Sequence, residues 1–317
     1  MRKIRVTLLL LLLLPAPAFT QNFGRTANGE LALRAFQKCF PDKTGAVSFI
    51  ENDWTITAGG ETFFWAGGRL LPRAEKDKID LYTPLSFWVY PEKPLSPDTY
   101  PPQYIETLRS RGSEESRLNQ KDSNRTFQGI LYGGLERQEI EALMVRIDFL
   151  GAKFSIHRDI AEALKRIDKE IRKWEGAKAF IASIKSIGGY NWREIAGTQR
   201  MSYHSWGLAV DIQPKSLGGK AIYWQWERGR NKDNWMLVPL ENRWNPPDPV
   251  IKAFENEGFI WGGKWPLYDN MHFEYRPELH EFTRLLAANP EISANGNAAS
   301  GSPGQDLHHV APDFLLK

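Results

Sequence analysis

Cysteine, long apolar runs and net charge are all scarce in this sequence. Cys39 is the only cysteine among 317 residues, which excludes an intrachain disulfide and a thiolate metal cluster. It lies too far beyond the N-terminal apolar run to be a lipoprotein cleavage site, and reads as a buried, inert thiol. That run, Val6 to Leu14, is about half of the roughly 20 residues a spanning helix needs. The 41 basic and 38 acidic side chains leave a formal charge of only +3.

Arg2, Lys3 and Arg5 precede the apolar run, and Pro15-Ala16-Pro17-Ala18 follows it. This pattern predicts a secretory signal peptide over residues 1–18, with no stable membrane span after its cleavage and export to the periplasm or the medium. Cleavage after Ala18 removes three basic and no acidic side chains, so the formal +3 falls to zero in the mature chain. No basic stripe remains for phosphates, which argues against a nucleic-acid partner. A composition 42% hydrophobic and 25% charged suits one or two globular domains.

Residues 19–134 form an N-terminal extension in which no chemistry can be identified. Within it, Trp54-Thr-Ile-Thr, the paired Gly59-Gly60 and Glu61-Thr-Phe-Phe-Trp65 predict a β-hairpin. Residues 91–128, rich in Pro, Ser and charge, read as a loop or surface wrap. Residues 135–290 are expected to form one compact catalytic domain, and 291–317 a disordered tail. Between Ile156 and Trp174 the apolar positions Ile160, Leu164, Ile167, Ile171 and Trp174 predict a helix with one buried stripe, with His157 as a surface or capping residue near its start. A second helix is signalled from an Asp248 cap through Pro249 to Gly258, and a third after Pro277, with Leu279, Phe282, Leu285 and Leu286 on one side.

The chemistry gathers in two stretches. In Leu208-Ala-Val-Asp-Ile212, alternation sets Ala209 and Asp211 on one face and the larger apolar residues on the other. Gly207 allows a sharp turn, so His204 can swing back over the face that carries Asp211. In Met271-His-Phe-Glu-Tyr275, His272 and Glu274 share a face by the same alternation. Two imidazoles and a carboxylate are what a catalytic zinc site takes from a protein, and they suit zinc better than calcium or magnesium. Taken singly, each residue could equally be an ordinary polar group of a strand. Asp269 is the nearest carboxylate able to move a proton for such a site. Glu274 is its rival for that role, and otherwise a partner that orients a histidine.

Ser202-x-His204-x-x-Gly207-x-Ala209-x-Asp211, followed by Asp269-x-x-His272-Phe-Glu274, resembles the zinc D-alanyl-D-alanine carboxypeptidase and L-alanyl-D-glutamate endopeptidase family. These are the VanY-like and endolysin-type peptidases of the wider group that includes lysostaphin and Hedgehog signalling domains. Gly188-Gly-Tyr-Asn-Trp-Arg193 and Gly258-Phe-Ile-Trp-Gly-Gly-Lys-Trp265 extend the resemblance over roughly residues 155–286. It implies an α+β fold with a small antiparallel sheet carrying the ligands and helices packed on its other face. It also implies Zn2+ as cofactor, His204, Asp211 and His272 as ligands, Asp269 as general base, and peptidoglycan stem peptides as substrate. The Asp-x-x-His form is similar to the endolysin-type branch, whereas the carboxypeptidase branch more often carries Glu at the position of Asp269. Ser202 is either a substrate-side serine or a turn hydroxyl. Arg193 either polarises the scissile carbonyl, holds a substrate carboxylate, or makes a surface salt bridge. The segment from Lys215 to Asn245, with Trp224, Trp226, Trp235 and Trp244, is an addition to the compact family pattern; it either packs a core of its own or walls the cleft. A zinc-retaining scaffold or cell-wall binding protein without turnover is the rival reading.

Overall fold

A computed structural model describes residues 18–289 except Ser86, with side chains from Gly29 onward. Residues 1–17 of the expected signal peptide and the expected tail lie outside the described residues. Helix α1, Ala18–Cys39, buries Leu31, Ala32, Leu33, Ala35 and Phe36. Four antiparallel strands follow in sequential order: β1, Thr44–Ile50; β2, Asp53–Ala58; β3, Glu61–Phe64; and β4, Leu71–Pro72. The hairpin turns at Gly59 and Gly60, both left-handed at φ 58° and 81°, a conformation that costs glycine little.

Residues 91–128 are not a simple loop. Helices α2, Pro102–Arg111, and α3, Glu114–Leu118, occupy much of the stretch, and α4, Thr126–Tyr132, begins within it. Its prolines and serines mark helix starts instead: Pro102 enters the first turn of α2, and the Ser113 hydroxyl accepts from Ser116 N at 3.2 Å to cap α3. Tyr104 and Leu108, four apart, give α2 its buried stripe.

After α5, Arg137–Glu141, strands β5, Met144–Phe149, and β6, Ala152–His157, form a separate hairpin. Helix α6, Ala161–Lys173, therefore starts later than the apolar spacing suggests, because Ile156 and His157 close β6. The buried stripe of Leu164, Ile167 and Ile171 is as expected. His157 caps the turn before α6, its Nδ1 accepting from Asp159 N at 3.1 Å, but it is buried rather than on the surface, with Nε2 donating to Tyr132 O at 3.0 Å.

Helix α7, Ala177–Ser183, leads into β7, Ile184–Gly188, and then β8, Ala209–Pro214. Helix α8, Trp224–Arg230, lies in the 215–245 segment; α9, Asp248–Asn256, precedes β9, Phe259–Trp261, and β10, His272–Tyr275, precedes α10, Pro277–Ala287. The cap of α9 is Pro247, so Asp248 sits in the first turn, where its charge favours the helix dipole, instead of capping it. Strands β7, β8, β10 and β9 pair in that order, all antiparallel. Behind this sheet Phe254 of α9 stacks on Phe273 of β10, with ring centroids 4.0 Å apart. The protein is thus α+β, with helices on one face of the sheet and the polar residues on the other. Among the described residues no helix is long and apolar enough to cross a membrane.

Candidate metal centre

Strand alternation and register bring the two motifs together. Asp211 of β8 and His272 of β10 are direct cross-strand partners, as are Ala209 and Glu274, so all four project from one face. The third strand supplies Gly188 opposite Asp211, leaving that face open beside the carboxylate.

His204 arrives from a short 3-10 turn, Tyr203–Trp206, whose start is capped by the Ser202 hydroxyl accepting from His204 N at 3.3 Å. Gly207 then reverses the chain at φ 64°. A Cβ there would stand 2.7 Å from both His157 N and Met144 Sδ, and Gly207 O accepts from His157 N at 3.0 Å. The turn is thereby fastened to β6, and His204 lies over Asp211.

Hydrogen bonds fix the inner nitrogen of each ring. His204 Nδ1 donates to Gly189 O at 2.6 Å, which leaves the lone pair on Nε2. That Nε2 is buried without a hydrogen bond and lies 3.1 Å from Asp211 Oδ2. His272 Nε2 lies 3.2 Å from Glu274 Oε2, and its Nδ1 is 2.9 Å from Asp211 Oδ1. One ligand atom from each of His204, Asp211 and His272 falls within 4.8 Å of the others. Burial pushes the Asp211 carboxyl up, but the His204 and His272 imidazoles outweigh it and hold the group well below the ordinary carboxylate range. An orphaned ring nitrogen, a carboxylate and a second imidazole oriented by a carboxylate form a donor set that fits a zinc ion.

The centre opens onto a cleft of about 430 Å³ whose lining includes Arg193, Ser202, Tyr223, Trp226, Trp265 and Asp269. Asp269 N donates to Gly262 O at 3.0 Å, and Oδ1 of its side chain is buried with no partner. Burial pushes its carboxyl up to about 7; His272 and Arg193 pull against that, and the charge of Asp211 adds to it. Glu274, the rival proton carrier, is fully buried behind His272 and bonded also to Arg276 Nη1 at 3.4 Å. Its position suits the orienting role. The Ser202 hydroxyl serves the His204 turn while lining the cleft. Arg193 is exposed at the rim, with Nη1 donating to Glu194 O at 3.3 Å.

The tryptophans of the 215–245 segment serve both roles open to them. Trp224 and Trp235 are buried with ring centroids 4.8 Å apart, and Trp224 also lines the cleft beside Trp226, which is 47% exposed. Sequence reasoning passed over Tyr223, which faces Asp269 across an isolated antiparallel bridge. It also passed over the Gly189 carbonyl that orients His204, although the Gly188-Gly189 pair was a visible signal. Gly189 is needed because a Cβ there would meet Ser155 O at 2.5 Å.

Residues 196–275 match a family model described as D-alanyl-D-alanine carboxypeptidase, which supports a peptidase of that general type. Residues 32–87 match a second one, described as a domain of unknown function. No curated protein and no solved structure matches the chain. The first match contains all three clustered residues and Asp269.

Proposed function

We propose that this chain is an exported zinc peptidase that hydrolyses the peptide stems of peptidoglycan. The observation that carries this reading is the convergence of His204, Asp211 and His272 at the floor of a cleft that also receives the unpartnered carboxylate oxygen of Asp269. A zinc ion held by the three side chains would supply Lewis acidity, polarising a peptide carbonyl and making water acidic enough to act near neutral pH. Asp269 takes the proton of the attacking water and returns it to the leaving amine. Its raised carboxyl favours this exchange, since a proton carrier works best near the pH at which it acts. Glu274 keeps the His272 Nε2 proton in place, so that Nδ1 faces Asp211 and the metal position. Arg193, at the rim, offers a cationic fork to a substrate carboxylate.

Mass spectrometry of muropeptides incubated with the mature chain and zinc tests this directly. Loss of a terminal D-Ala would define a carboxypeptidase, and a split between L-Ala and D-Glu an endopeptidase. Asp269→Ala is expected to lower turnover by about 10²–10⁴-fold with zinc still bound. No product from a wild-type chain that demonstrably holds zinc would instead mark a non-catalytic cell-wall binding protein.

A further inference from the structure

The added 215–245 segment reaches the reaction centre through Tyr223. Residues 222–224 of this segment lie along the loop that carries Asp269. Asn270 N donates to Ile222 O at 2.8 Å, Trp224 N donates to Tyr268 O at 2.9 Å, and Tyr223 and Asp269 are bridge partners. Residues directly opposite in an antiparallel pair project to the same side, and both side chains line the cleft. The Tyr223 ring is held edge-on by Trp224 at 6.0 Å and Trp226 at 5.8 Å. Behind it, Trp224 is braced by the Arg117 guanidinium 4.8 Å from its ring, and Tyr268 by that of Arg243 at 3.9 Å. The Tyr223 hydroxyl donates to Gln225 Oε1 at 2.7 Å, an acceptor from its own turn. Burial raises the phenol above its ordinary range and the charge of Asp269 adds to this, so the group stays a proton donor at neutral pH.

We propose that Tyr223 is a further catalytic residue, its hydroxyl exchanging Gln225 for the scissile carbonyl oxygen and donating a hydrogen bond to that oxygen as negative charge develops on it. This role rests on the peptidase reading above. A donor fixed in a partly desolvated wall costs little reorganisation at the moment of reaction, whereas Arg193 is exposed at the rim, where its cationic fork suits a substrate end group.

The test is steady-state hydrolysis of a muropeptide by the zinc-loaded wild type and Tyr223→Phe, alongside binding of a phosphinate dipeptide analogue that carries the anionic oxygens of a tetrahedral adduct. The variant should lose about 10²–10³-fold in kcat and a similar factor in phosphinate affinity, with KM, zinc content and melting temperature unchanged. Equal kcat and equal phosphinate affinity in the two proteins overturn the assignment while leaving the peptidase reading intact. A fall in kcat accompanied by loss of zinc or a lower melting temperature also overturns it, because the hydroxyl would then be structural. A wild type that holds zinc and cleaves nothing removes the peptidase reading, and the role of Tyr223 with it.

Discussion

At the scale of single residues, the centre is defined by which nitrogen of each ring is occupied. His204 gives Nδ1 to Gly189 O and His272 gives Nε2 to Glu274, so opposite nitrogens of the two rings turn inward. Glu274→Gln weakens the hold on the His272 proton, and zinc affinity should fall by about 10–100-fold, measurable by competition with a chromogenic chelator. Asp269 carries a pH signature. In the metal-free chain its carboxyl is raised from 3.8 to about 7, so the folded state binds this proton more tightly than the unfolded state. Its contribution to stability should therefore be fully present below about pH 4 and be lost as pH rises to about 7. Asp269→Asn should flatten that decline, as read from urea midpoints at pH 4.5 and 7.5; an unchanged slope would refute the assignment. The ligand-type residues were legible because strand alternation and a turn glycine place side chains by local rules alone. The tautomers were not, since Gly189 O reaches His204 through the folding of the irregular 189–204 loop, which has no periodic pattern to read.

At the scale of elements, the turn that delivers His204 is the most constrained piece of the site. Gly207 is left-handed and presses against the His157 backbone. Gly207→Ala should cost at least about 1–3 kcal/mol for the backbone conformation, with a further penalty for the contact. It should show as a lowered melting temperature and a zinc site that fills less readily. Periodicity identified the stripes of α6 and α10 because both are long enough to repeat. It misjudged the start of α6, since Ile156 and His157 fit a helical spacing yet are claimed by pairing with Val145 and Met144. Helices α2 and α3 were hidden for a related reason: they are short, and the prolines and serines that start them are the same residues that mark loops.

At the scale of the whole molecule, the chemistry and the core have different extents. The metal centre, Asp269 and Arg193 all lie beyond residue 190, whereas one buried apolar cluster runs from Leu31 to Phe282 across residue 134. Phe36 of α1 and Phe282 of α10 both meet the Phe87 ring, at 5.4 and 4.9 Å. The N-terminal segment also braces the cleft wall, through Arg117 on Trp224. A motif reveals where reacting groups sit, but which distant apolar faces cover them depends on tertiary packing that no local pattern records. The account stands on the three residues binding one metal ion, and its most direct test is the zinc content per chain of the wild type, His204→Ala and Asp269→Ala after dialysis against a mild chelator. One zinc in the wild type and in Asp269→Ala, with none in His204→Ala, is the predicted result. Equal zinc in all three, or none in the wild type, would contradict it.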